Sequence, residues 1–184
     1  MIGLVAALVS GIVLGKWAFA LSAIPYLLRF KSRNLALIAF YLYALLVVLT
    51  VDGDSLYTPQ GLTTALLTFA STFLLLDELL RGPEINRKNM YVAGILLLSA
   101  FSDYTVTATM IGLMLYTSYV HFGKEAYYLA GWIGLSGLIL YLGRNTLQNM
   151  AAQSLVLIGL GLLFLLFAER KEVSFSEVSL LEED

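Results

Sequence analysis

Charge in this chain is confined to a few short clusters, and the stretches between them are about as long as a bilayer is thick. A spanning helix needs roughly 20 apolar residues to cross about 30 Å of hydrocarbon. Apolar stretches on that scale fall at 2–30, 35–51, 59–80, 90–122, 126–142 and 150–168. The clustering has an energetic reason, because one charge at the bilayer centre costs several kcal/mol. A large soluble core is the competing explanation. It fails on composition: only 13% of the 184 residues are charged and 59% are hydrophobic. A soluble domain carries about 25% charged residues, and here too little polar surface remains to cover such a core. The fold class expected is all-α, a polytopic transmembrane helical bundle.

The stretch 90–122 is too long for one span, since at 1.5 Å per residue it would reach about 50 Å. Ser102-Asp103 suits a helix N-cap, so the stretch divides there into two helices joined by a tight turn. About seven helices result, forming a bundle over residues 1–168, with a short acidic cytoplasmic tail at 169–184. The loops then separate by charge. Arg29, Lys31, Arg33, Arg81, Arg87, Lys88, Lys124, Arg170 and Lys171 fall on one side, and Arg144 alone sits in the alternate loops. Basic residues accumulate in cytoplasmic loops, so the C-terminus is expected in the cytoplasm, most simply of a prokaryotic plasma membrane. No basic residue precedes Ile2, so no cleavable signal is expected. Thr58-Pro59 and Asn145-Thr146 are expected to cap the helices that follow them.

The first segment admits two readings. As one helix over 2–30 it carries Lys16 near mid-depth and starts outside. As two short helices turning at Gly15-Lys16-Trp17 it starts inside and puts Lys16 at an interface. The single helix is the expectation carried forward.

Several residue patterns stand out. Gly3, Ala7, Gly11 and Gly15 recur every four residues, which puts them on one helix face. Small residues let backbones approach closely where lipid supplies no hydrophobic force. The face is expected to pack on another helix, either within the chain or in other membrane subunits or a second copy. Gly131, Gly134 and Gly137 read the same way. Thr64, Thr68, Ser71 and Thr72 form a polar stripe, extended by Gln60, that either lines a solute path or bonds its own backbone. Lys16, Tyr116 and Gln153 are further candidates for a cavity wall. Asp77 and Glu78 lie about one turn before Arg81 and read as interfacial ion-pair residues.

Much chemistry is excluded. With no cysteine, thiol catalysis and cysteine–metal sites are impossible. His121 is the sole histidine, and no ligands stand at metal spacing around it. No catalytic or phosphate-binding motif occurs, so neither an enzyme nor a cofactor is expected. No basic patch stands outside the short loops, so nucleic acid is not an expected partner; the lipid bilayer is.

Tyr57-Thr58-Pro59-Gln60 and Asn145-Thr146-Leu147-Gln148 lie 88 residues apart and each opens a helix that ends in charges. Two three-helix repeats joined by one inverting helix would fit seven spans. Ser22-Ala23-Ile24-Pro25-Tyr26, followed by Arg29 and Lys31-Ser32-Arg33, is similar to the first-helix motif of the PQ-loop and SWEET-type sugar carriers. The resemblance covers about a dozen residues. Tyr26 stands where that family has glutamine, and Ser118-Tyr119 lacks the family's proline. Two functions fit the whole sequence: a small transporter or channel for a solute or ion, or an accessory subunit, assembly factor or sensor module of a membrane complex.

Overall fold

A computed structural model describes residues 1–51, 56–82, 87–123, 126–148 and 150–167. Among them are eight α-helices, one 3₁₀ segment and no strand. The helices are α1 (Ile2–Leu14), α2 (Ala23–Arg29), α3 (Arg33–Thr50), α4 (Pro59–Arg81), α5 (Arg87–Ser99), α6 (Asp103–Phe122), α7 (Ala126–Leu142) and α8 (Met150–Phe167). The 3₁₀ segment, Trp17–Ser22, leads into α2. The acidic tail at 169–184 lies outside the described residues, as do Lys124, Arg170 and Lys171.

The first apolar segment is therefore not one helix, and the expectation of a mid-depth Lys16 is overturned. α1 stops at Leu14 because Gly15 adopts a left-handed conformation at φ 63°. The Lys16 N–H then donates to Gly11 O at 2.9 Å and the Gly15 N–H to Ile12 O at 3.3 Å. This is the Schellman pattern, which satisfies helix-end carbonyls through a residue best supplied by glycine. Lys16 itself is extended, at φ −110° and ψ 111°. The chain reverses there, and eight helices replace the expected seven.

Other boundaries follow local chemistry. Thr58 caps α4 by accepting the Gly61 N–H at 3.0 Å, with Pro59 at the first helical position. The 90–122 stretch breaks where Ser102-Asp103 indicated. There the Thr105 hydroxyl donates to Ser99 O at 2.7 Å and to Ser102 O at 2.9 Å, closing the turn. Asn145 and Thr146 do not cap α8, which begins only at Met150. They lie in a turn in which the Thr146 N–H donates to Gly143 O at 2.9 Å.

Helix directions follow from contacts at the two ends of α4. At its Arg81 end, Gly3 of α1 packs on Leu74 and Leu75, and His121 of α6 lies 3.6 Å from Asp77. At its Thr58 end, Val13 and Leu14 share a cavity with Gln60, Thr64 and Asp103. So α1 runs antiparallel to α4, and α6 runs parallel to it. The Arg29 Nε donates to Leu79 O at 2.6 Å, which brings the end of α2 to the Arg81 end. α7 finishes at the Thr58 end, where the Tyr57 hydroxyl donates to Leu140 O at 3.0 Å. α8 starts there, with Gln153 accepting the Leu56 N–H at 3.2 Å. Each helix thus reverses its predecessor.

Two cores hold this layout. One lies among α1, α4, α5 and α6 and contains Ala6, Val9, Leu67, Ala70, Leu96 and Met110. The other packs Phe19, Tyr43, Val47, Leu75 and Leu79 among the 3₁₀ segment, α3 and α4. The eight helices fall into two sets of four, α1–α4 and α5–α8. Helices of the second set begin 80–93 residues after their counterparts. The arrangement of two three-helix units around one inverting helix is thereby replaced. In the first set α4 returns along α1, whereas α8 packs chiefly on α7.

The α1–α4 approach depends on Gly3. A Cβ there would lie 2.6 Å from Leu75 Cα, against backbone that has no room to yield. Gly3→Val should therefore lower stability by about 1–3 kcal/mol, as overpacking does. At Gly134, where a Cβ would meet nothing within 4 Å, Gly134→Ala should leave stability within about 0.5 kcal/mol. Denaturation of the detergent-solubilised variants measures both.

Candidate functional site

An α-helix starts with backbone N–H groups that have no partner in their own helix. In α1 two of them are met by a carboxylate 75 residues away. Glu78 Oε2 accepts the Gly3 N–H at 2.7 Å and the Leu4 N–H at 3.3 Å, and Glu78 also pairs with the amine of Met1. The side chain is only 9% exposed. The positive end of the α1 dipole favours a negative charge at this point. Sequence reasoning took Glu78 for an interfacial ion-pair residue. Its role at α1 becomes visible only when the first segment is a hairpin, which brings the chain start to the Arg81 end.

The neighbouring acid faces differently. Asp77 Oδ1 accepts from Arg81 Nε at 2.7 Å, and its Oδ2 lies 3.6 Å from His121 Nδ1. These groups, with Glu78, Thr117 and Gly3, enclose a cavity of about 190 Å³. Two carboxylates, an imidazole and a guanidinium converge there from α4 and α6. No group of three or more metal-ligating side chains occurs among the described residues. The chemistry on offer is proton exchange and charge attraction.

A second polar cavity, of about 80 Å³, lies at the Thr58 end of the same three helices. Its walls include Gln60, Thr63, Thr64 and Asp103, with Val13 and Leu14 of α1 and Leu67 of α4. Two members of the expected polar stripe, Gln60 and Thr64, therefore reach a cavity. The deeper members bond backbone of their own helix: Ser71 donates to Thr68 O at 3.2 Å, and Thr72 to Thr68 O at 2.7 Å. The Thr68 hydroxyl is buried with no partner, as is that of Ser10 on α1. The antiparallel register, with Gly3 against Leu75 and Leu14 near Thr64, puts Ser10 level with Thr68. Between Leu67, on the wall of the smaller cavity, and Leu74, on the wall of the larger, α4 rises about 10 Å.

The remaining candidates scatter. Lys16 sits in the Gly15–Trp17 turn at the Thr58 end, beside a Trp17 that is 70% exposed. Tyr116 is exposed on α6. Gln153 is fully buried and structural: besides accepting from Leu56 it donates to Leu147 O at 2.8 Å, tying two loops to α8. The glycine face of α1 divides its work. Gly3 meets α4, Ala7 is fully buried, Gly11 faces Phe19 of the 3₁₀ segment and Gly15 makes the turn. Gly131, Gly134 and Gly137 are exposed.

No protein-family model, curated protein or solved structure matches this chain. The site therefore has to be read from its own geometry.

Replacing Glu78 tests the α1 contact. Glu78→Leu should cost about 1–3 kcal/mol, because buried N–H groups lose their acceptor. Glu78→Gln keeps one acceptor and should cost less. Hydrogen exchange at the Gly3 and Leu4 amides should rise in the Leu variant while that at Met110 stays slow.

Proposed function

We propose that this chain is a multi-pass membrane protein that conducts or transports a proton or small cation along the interface of α1, α4 and α6. One observation carries the reading. Two polar cavities, one lined by Asp77 and Glu78 and the other by Asp103, occupy opposite ends of those three helices, with partnerless Ser10 and Thr68 hydroxyls in the barrier between them. In hydrocarbon an unpaired polar group costs several kcal/mol, so hydroxyls left at that depth favour passage of water or an ion.

The membrane placement draws on several features. α3 and α4 are long and apolar enough to cross a bilayer. Apolar side chains face outward around the molecule: Ile12 is 76% exposed, Leu49 80% and Phe101 90%. Monomeric soluble proteins rarely expose such patches on this scale. Counted with the eight-helix order, the Arg81 end and the segments connected to it carry nine basic residues, against Lys16 and Arg144 at the other end. Basic residues mark the cytoplasmic face, so the reading puts both chain ends inside and the Gly15–Trp17 turn outside. α1 spans only about 20 Å, which local thinning of the bilayer accommodates.

Cavity size narrows the cargo. A water occupies about 30 Å³ in the liquid, so 80 Å³ admits two or three molecules of that size. Among the described residues, Asp103 is the one charged side chain on the wall of the smaller cavity, which favours positive charge there. A second reading, an accessory subunit, rests on the flank where α8 leaves α5 uncovered.

Proteoliposomes loaded with a pH-sensitive dye, under an imposed potential, test the transport reading. Proton flux should exceed that of empty vesicles and fall at least tenfold in Asp103→Asn. If neither proton nor sodium flux exceeds the leak, the accessory-subunit reading takes its place. Topology is checked separately, and cleanly, since the chain has no native cysteine. An impermeant maleimide applied to intact cells should label Lys16→Cys and leave Lys88→Cys unmodified; the reverse pattern contradicts the orientation.

A further inference from the structure

A cavity of about 330 Å³ lies among α4, α6, α7 and α8, away from the polar path. Phe69, Ile111, Trp132 and Leu157 form much of its wall, and no charged side chain lines it. We propose that it binds one acyl chain of an anionic phospholipid from the outer leaflet, whose phosphate rests on Arg144. The inference uses the bilayer placement argued above and is independent of cation transport.

Size and chemistry favour a hydrocarbon. An apolar cavity of about 150 Å³ stays dry and takes up benzene; this one is about twice as large. Ligand sites begin near 300 Å³ and are mostly apolar. Along α4 the wall runs from Leu62 to Ala70, about 12 Å. Half of a 30 Å hydrocarbon core is about 15 Å, so the space matches most of one leaflet. Its position agrees, because Leu56 and Leu140 place its shallow end at the Thr58 face and Ala70 its deep end.

Access and headgroup are also provided. Leu62 is 47% exposed and Phe69 38%, so the wall reaches the outer surface of the bundle and a chain can move in sideways. Phe69 and Trp132 rings stand 5.8 Å apart, and the Trp132 indole donates to Leu157 O at 3.0 Å, which holds the aromatic wall in place. Gly137 lines the space, and a Cβ there would meet nothing within 4 Å. A glycine beside empty room, in a helix facing lipid, leaves volume for a guest. Four residues beyond Leu140, Arg144 stands exposed with its guanidinium 5.7 Å from the Tyr141 ring. No carboxylate among the described residues pairs with it.

The test uses the full chain in phosphatidylcholine nanodiscs doped with phosphatidylglycerol that carries a mid-chain diazirine. After irradiation, adducts should concentrate on peptides holding Phe69 and Trp132. They should fall at least fivefold in Gly137→Phe and in Ala65→Phe, which fill the cavity from opposite walls; if one variant melts early, the other decides. The same diazirine on phosphatidylcholine should label at least fivefold less, and Arg144→Gln should remove that difference. Adducts spread evenly over outward positions such as Leu46 and Leu49 overturn the site without any variant. Equal labelling by the two lipids, or labelling unchanged in the filled variants, overturns it as well.

Discussion

The first turn of α1 against the carboxylate of Glu78 sets the geometry of the rest of the bundle. Helix N-termini leave N–H groups that cannot remain unpaired in an apolar interior. Glu78 meets two of them, and Gly3 lets the backbones come close enough for it to do so. Leaving buried N–H groups without an acceptor costs about 1–3 kcal/mol, which favours this direction for the 13-residue α1. With α1 fixed antiparallel to α4, its far end must fall beside Gln60 and Thr64. The chain must then turn there, so that Arg29 returns to Leu79.

Both polar cavities are consequences of that pairing. α6 runs alongside α4 and supplies one polar side chain at each end, Asp103 to the smaller cavity and His121 to the larger. Between them the core is mostly apolar, with Val9, Leu67, Leu74 and Met110 buried together. The hydroxyls of Ser10 and Thr68 are exceptions in this layer. Thr68 sits on a helix whose neighbouring hydroxyls at Ser71 and Thr72 do bond back to the chain.

Much of this was legible in the residues, for reasons that also mark the limit. Charge clusters and cap chemistry located the ends of α3, α4 and α6, because exclusion of charge and pairing of N–H groups act locally in sequence. The break at Gly15 was legible only as the second of two readings of the first segment. Lys16 is one charge among apolar neighbours, and the left-handed turn rests on backbone bonds to Gly11 and Ile12 that no hydropathy pattern records. Carrying the single helix forward hid the role of Glu78, which depends on where α1 begins. The stripe on α4 was visible as a stripe, but only tertiary packing separates Gln60 and Thr64, which reach a cavity, from Ser71 and Thr72, which do not. The apolar cavity gave no signal either, since its walls are ordinary hydrophobic residues drawn from four helices.

Accessibility along α4 measures the central claim directly. Single cysteines at Gln60, Thr64, Thr68 and Asp77, in oriented proteoliposomes, can be probed with a small charged thiosulfonate from each side. The account predicts that Gln60→Cys and Thr64→Cys react from the outer side, Asp77→Cys from the inner side, and Thr68→Cys slowly from both. Protection of Thr64→Cys and Asp77→Cys from both sides would contradict it, because then no aqueous path enters the α1–α4–α6 interface at either end.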